Sequence, residues 1–218
     1  MAKLRVGVLI SGRGSNLAAL MEAARHPDYP AEIAIVISNR PGAAGLEKAR
    51  AAGIPICALD HKIAESREAF DRAMDETLRQ AGVDLICMAG YMRVLSDAFV
   101  ETWHNRMINI HPSLLPAYPG LNTHRRALAD GVRITGCTVH FVRKEVDTGP
   151  IIAQAAVPVL ATDDEESLAA RVLAAEHVLY PFALRLIASG QVSVDGNRII
   201  DRGLGSHATS SLFSPRPE

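Results

Sequence analysis

Apolar residues are arranged along this chain in two alternating ways, as short unbroken runs and as longer stretches with helical spacing. Leu4 to Ile10 is apolar except for Arg5 and Gly7, the pattern of a strand buried on both faces of a parallel sheet. Glu32 to Ile37, Ile54 to Leu59, Val83 to Ala89 and Met107 to Ile110 read as further strands. Leu17 to Ala24 and Ala43 to Ala52 read as helices, the second stopped by Gly53. Glu65 to Ala81 has helical spacing through Phe70, Met74 and Leu78 and is closed by Gly82. Ser96 caps a short helix to Trp103, and Asn122 or Thr123 caps another to Ala129. Strands alternating with helices predict an α/β fold with a doubly wound, mainly parallel sheet.

The last third reads differently. Ile134 to Val142 alternates like a strand with one wet face, and Ile151 to Val159 is a second strand after a turn-rich loop. Thr162-Asp163-Asp164-Glu165 resembles a capping box. The helix after it should bury Leu168, Val172, Ala175, Leu179, Phe182 and Leu186, with a kink at Pro181. Val192 to Ile200 predicts a hairpin turning at Asp195-Gly196, an antiparallel C-terminal extension. From Gly203 onward Ser, Pro and Gly dominate. The expectation is one domain over residues 1–202 and a loose tail over 203–218.

Totals narrow the class. A chain of 218 residues that is 48% hydrophobic can bury one substantial core. Its net charge of −1, without a long basic run, lacks the electrostatic footprint of a nucleic-acid binder. No apolar stretch approaches the roughly 20 residues of a membrane span, and Met1 to Arg5 leads into a strand without a signal peptide's pattern. Cys57, Cys87 and Cys137 are scattered and form no Cys-x-x-Cys, which predicts reduced thiols and a cytoplasmic protein.

Candidate chemistry gathers where strands end. Ser11-Gly12-Arg13-Gly14-Ser15-Asn16 joins strand to helix, an arrangement that points backbone N–H groups at an anion. Leu17 stands where a dinucleotide fingerprint needs its third glycine, and no Gly-Lys-Ser/Thr follows. Ser38 and Asn39, not an acid, end the next strand, so one phosphate monoester fits better than NAD or ATP. The same residues also satisfy a tight turn with a Ser or Asn helix cap. Gly90 to Leu95 presents backbone at another strand's carboxyl end. Asn109 and His111, two apart on a strand, project together, and Pro112 holds His111 extended. Together they favour a site over a satisfied amide and a lone capping histidine. Arg67 stands near the mouth of such a site, although by default it is a solvated arginine. Asp147-Thr148-Gly149 reads alone as a turn, and Glu176 flanks an apolar helical stripe. His111, His124 and His140 have no metal-ligand spacing such as His-Glu-x-x-His.

Asn109-Ile110-His111-Pro112-Ser113-Leu114-Leu115-Pro116 resembles the signature of the formyltransferases that use 10-formyltetrahydrofolate, most nearly the branch acting on phosphoribosylglycinamide (GAR). The resemblance extends to about Ile187 and implies a Rossmann-like formyltransferase fold. It implies transfer of a formyl group from 10-formyltetrahydrofolate, a co-substrate, to the primary amine of GAR in purine synthesis. Asn109, His111 and Asp147 match the family's catalytic residues. Gly14, Ser15, Asn16 and Glu176 match its GAR-binding positions. Arg67, Met92, Arg93, Val94, Leu95 and Asn109 match its folate site. Three residues before Glu176, where relatives often carry Gln or Lys, this chain has Leu173. The resemblance implies small-molecule substrates, no metal or prosthetic group, no nucleic acid or membrane, and a monomer or homodimer. Hydrolysis of the formyl folate and formylation of methionyl-tRNA are the nearest rivals, expected to bring an extra N-terminal and an extra basic domain respectively. A non-catalytic nucleotide-binding module would share the fold and leave Asn109, His111 and Asp147 idle.

Overall fold

Seven apolar runs hydrogen-bond side by side in the computed structural model, which describes residues 2–202 and Ser214. They are β1 (Leu4–Ile10), β2 (Ala31–Ser38), β3 (Ile56–Ala58), β4 (Leu85–Met88), β5 (Met107–His111), β6 (Ile134–Phe141) and β7 (Ile151–Pro158), in the order β3-β2-β1-β4-β5-β6-β7. β1 to β5 pair in parallel, while β6 runs antiparallel to both β5 and β7. The reversal of order at β1 is the switch point of an open α/β sheet, where ligands bind beyond the strands' carboxyl ends.

Helices α1 (Ser15–Ala24), α2 (Ala44–Ala51), α3 (Arg67–Gln80), α4 (Asp97–Thr102), α5 (Thr123–Ala129) and α6 (Glu165–Ala188) cover the sheet, and β8 (Val192–Asp195) and β9 (Arg198–Asp201) form a separate hairpin. Alternation along each strand divides the core in two. Val6, Val8, Cys87, Ile108 and Ile110 pack on one face with Leu17, Leu46, Leu168 and Tyr180 from α1, α2 and α6. Leu9, Ile86, Met88 and Met107 pack on the other with Phe70, Met74, Phe99 and Trp103 from or beside α3 and α4. Leu17 and Leu20 are fully buried, each contributing roughly 1.5–3 kcal/mol by transfer from water.

Several expectations need correction. β6 has no wet face: every residue from Thr135 to Phe141 is buried. Its polar side chains are satisfied inside, Thr138 by backbone groups of Ser113 and Leu115 and His140 by the Phe141 carbonyl. α6 buries Tyr180, whereas Phe182 is exposed and Ala175 only half-buried. α1 begins at Ser15, with left-handed Gly14 in the cap position and no side-chain cap, so Ser15 and Asn16 lie inside the helix. The hairpin turns at Gly196-Asn197, since Asp195 pairs with Arg198. The tail expected over 203–218 lies outside the described residues except for Ser214.

Candidate functional site

The glycine turn is shaped by close packing as well as by its glycines' freedom. Gly14 has φ 66, and a Cβ there would stand 2.8 Å from the Gly45 Cα. Gly45 of α2 donates its N–H to the Gly12 carbonyl at 3.0 Å, pinning the turn from behind. Space is open on Gly12, where a Cβ would meet nothing within 4 Å. The turn therefore presents bare backbone and the positive end of the ten-residue α1 to its outer side. Buried Asn16 donates through Nδ2 to Glu176 Oε2 at 2.7 Å, joining α1 to α6. Burial raises the Glu176 carboxyl above its ordinary range, and the Asn16 hydrogen bond partly offsets this.

Asn109 and His111 point to the opposite side of the sheet from Ile108 and Ile110, and therefore to the side of α3 and α4. His140 faces them, being the antiparallel partner of Asn109. Its Nδ1 lies 2.9 Å from the Phe141 carbonyl, which can only accept, so that nitrogen carries the proton. Burial lowers the pKa of His140 and keeps it neutral. Its Nε2 is then an acceptor 3.4 Å from Asn109 Nδ2, a contact that orients the amide.

Asp147 completes the cluster, with Oδ2 at 3.3 Å from His111 Nδ1 and Oδ1 at 3.7 Å from His140 Nε2. It also accepts the Gly120 N–H at 2.7 Å. His111 Nε2 meets the Tyr118 carbonyl at 2.9 Å, so both ring nitrogens face acceptors and only an imidazolium donates to both. Asp147 follows a strand, as expected, but that strand is not one of the parallel set. β6 is antiparallel, so its carboxyl end lies beside the start of β5, where Phe141 pairs with Ile108. The connection must fold back to reach His111. Asp147 sits at φ 58, and a Cβ on Gly149 would lie 1.7 Å from the Phe141 carbonyl oxygen, which makes glycine necessary at that point of the turn.

Polar groups, among them buried Ser113 and Thr138, stitch the loop after β5 to β6 and β7. The Ser113 hydroxyl donates to the Ala117 carbonyl, Thr138 Oγ1 receives the Leu115 N–H, and Gln154 Nε2 donates to the Leu115 carbonyl. Ser113, Thr138, His140 and Gln154 are positioning groups, a role the pattern along the chain had not assigned to them. Only the pairing of β6 beside β5, an observation of the fold, points to them.

The segment after β4 is held from two sides. Met92 donates its N–H to Ser11 Oγ at 2.8 Å, and Ser11 in turn donates to Asn39 Oδ1 at 2.6 Å. Buried Asp71 of α3 accepts the Ser96 N–H at 2.7 Å. Arg93 lies with its guanidinium carbon 4.8 Å from the Phe70 ring centre. Met92 and Val94 remain exposed. Exposed Arg67 opens α3 directly after the Ser66 cap, on the helix face that carries Phe70 and Asp71.

The expected residues thus form two groups along one sheet edge. Gly14, Ser15, Asn16 and Glu176 belong to the α1 and α6 side. Arg67 and Met92 to Leu95 belong to the α3 and α4 side, with Asn109, His111 and Asp147. A phosphate-bearing acceptor on one side and an extended apolar donor on the other would meet near Asn109 and His111. Among the described residues, no group of three or more His, Cys, Asp or Glu is placed to hold a metal, and no helix is long and apolar enough to cross a membrane.

The pattern of the formyl transferase family matches residues 4–184. The chain is 53% identical over 195 residues to the trifunctional purine biosynthetic protein adenosine-3 of Bos taurus, covering 89% of this chain and 19% of that protein. It therefore spans about a fifth of that relative's length. It is 44% identical over 207 residues to the phosphoribosylglycinamide formyltransferase of Escherichia coli (strain K12), covering 92% of this chain and 98% of the other. Among solved structures, glycinamide ribonucleotide transformylase 1 from Symbiobacterium toebii superposes with a TM-score of 0.89 at 51% identity, covering 91% of this chain and 94% of that one.

Proposed function

Because the chain belongs to the formyl transferase family, we propose that it moves the formyl group of 10-formyltetrahydrofolate to the primary amine of GAR, giving formyl-GAR and tetrahydrofolate in purine synthesis. The observation that supports this most is the division of the site: an uncapped glycine turn on one side of the sheet edge, a backbone-lined segment on the other, and the Asn109, His111 and Asp147 cluster beside it. The GAR phosphate takes Gly14, Ser15 and Asn16, and Glu176 holds the glycinamide side. The folate takes Met92 to Leu95, with its glutamate carboxylate at Arg67.

The amine attacks the formyl carbon and produces a tetrahedral oxyanion. The Asn109 Nδ2 proton not directed at His140, and the His111 Nε2 proton, stabilise that oxygen, each worth about 3–4 kcal/mol. For His111 this means that the oxyanion replaces the Tyr118 carbonyl as the partner of Nε2. Asp147 faces His111 Nδ1 and lies close enough for a water on its carboxylate to carry a proton from the amine to the leaving nitrogen. These steps draw only on groups of this chain and its two small-molecule substrates, without metal or nucleic acid. The three free cysteines, two of them buried, support a cytoplasmic setting. One assay tests the reading: mixing GAR with 10-formyltetrahydrofolate should yield formyl-GAR and tetrahydrofolate in equal amounts. Tetrahydrofolate released at the same rate without GAR would replace transfer with hydrolysis.

A further inference from the structure

We propose that Asp71 is a positioning residue for the formyl donor, holding the end of the folate segment with one carboxylate oxygen and the Arg93 guanidinium with the charge of the other. This rests on the reading of Met92 to Leu95 as the donor's segment. One face of α3 carries Arg67, Phe70, Asp71 and Met74, at spacings of i, i+3, i+4 and i+7. Three of them meet that segment or its flanks. The Arg93 guanidinium carbon lies 4.8 Å from the Phe70 ring centre, Asp71 Oδ2 accepts the Ser96 N–H at 2.7 Å, and Met74 Sδ accepts the Tyr91 hydroxyl at 3.8 Å. The fourth is Arg67, read above as the partner of the folate glutamate. α3 thus sets both how residues 91–96 lie and where the glutamate's cation stands relative to them.

Asp71 is 2% exposed, yet its Oδ1 has no hydrogen-bond partner among the described residues. Arg93 Nε, equally closed to solvent, has none either. Anchoring a backbone N–H needs only an oxygen, so the Ser96 bond gives no reason for a carboxylate at this depth, where an uncompensated charge is costly. Arg93 supplies the compensation. It lies over the ring of the residue before Asp71, and both charges reach the Tyr91 hydroxyl, whose pKa is raised most by burial, raised further by Asp71 and lowered by Arg93. Between buried groups such attraction acts over several ångströms without a hydrogen bond. The guanidinium is thereby fixed between Met92 and Val94, exposed side chains that a bound folate would cover. Asp71→Asn keeps an oxygen for the Ser96 N–H and removes the charge. In calorimetry on the full chain, this variant should bind tetrahydrofolate about tenfold more weakly. The KM for 10-formyltetrahydrofolate should rise likewise, with kcat and the KM for GAR held. In an Arg93→Met background, which keeps an aliphatic stem without the cation, the same substitution should change tetrahydrofolate binding by less than about twofold. Unchanged folate affinity in Asp71→Asn, or an equal loss in both backgrounds, would overturn the proposal, the second leaving Asp71 a packing residue. Asp71→Ser takes the place of asparagine if that variant does not fold; if neither folds, the carboxylate supports the core and the proposal falls. Failure of the donor reading itself looks different, as absent binding of tetrahydrofolate to the wild type.

Discussion

Asp147 is the residue at which charge and backbone can be separated most cleanly. At φ 58 it occupies a region that asparagine tolerates as well as aspartate, so Asp147→Asn should fold normally and bind both substrates. The negative charge 3.3 Å from His111 Nδ1 would be gone. Turnover should fall by about a hundredfold or more; a variant with unaltered turnover would return Asp147 to a turn residue. Glu176 makes the converse case. A buried carboxyl whose folded pKa is raised contributes fully below the unfolded value, and that contribution is lost as pH rises through the folded one. At neutral pH the carboxylate is therefore a cost to the fold. Glu176→Gln, whose amide oxygen can still accept from Asn16, should melt at a higher temperature near neutrality, with the gain shrinking as pH falls toward the ordinary carboxyl range. Its KM for GAR should rise. An unchanged or lowered melting temperature at neutral pH would show that the site already compensates the charge.

At the scale of elements, the glycine turn and α2 act as one unit. Gly45→Ala should favour the helix by up to about 1 kcal/mol. Yet the added Cβ would stand 2.5 Å from Ile10 Cδ1, 3.2 Å from Gly14 Cα and 3.3 Å from the Gly12 carbonyl oxygen. The isoleucine tip can swing away, whereas the turn's backbone must shift by tenths of an ångström. The expected outcome is near-wild-type stability with a raised KM for GAR and unchanged folate affinity; an unchanged KM for GAR would separate the turn from the acceptor. Arg67, exposed at the start of α3, gives the opposite split. Arg67→Ala should cost little stability and weaken folate binding by roughly 1–3 kcal/mol, read by direct titration; intact folate affinity would leave it a surface arginine. The parallel strands were legible because apolar runs buried on both faces look alike wherever they occur. Asn109 and His111 were legible because two-residue spacing on a strand decides which way both point. β6 was misread because Thr138 and His140, two apart, resemble a solvent-facing row and are in fact buried, Thr138 bonded to the Ser113 carbonyl and His140 to the Phe141 carbonyl. In α6 the stripe was displaced because the polar tip of Tyr180 hides a buried ring, whose hydroxyl donates to the Met88 and Ile108 carbonyls.

Across the whole molecule, the reversed direction of β6 and β7 has a kinetic side. β1 to β5 and helices α1 to α4 form through successive crossovers, each bringing a new strand to a neighbour already in place. Asn109 and His111 lie on the last of these strands. Asp147 and His140 arrive only when β6 and β7 add to that edge, and α6, which packs against α1, carries Glu176 last of all. The antiparallel pairings are the more local ones, since Asn109 and His140 stand 31 residues apart whereas β1 must meet β4 at Val6 and Leu85 and α1 must meet α6. Pairings between distant parts of a chain form late because loop closure must come before their reward. During refolding from denaturant, far-UV circular dichroism should thus recover ahead of formyl transfer, leaving a species with its helices formed and Glu176 not yet docked against α1. Activity returning in step with the earliest helical phase would mean that α6 docks as early as the strands pair.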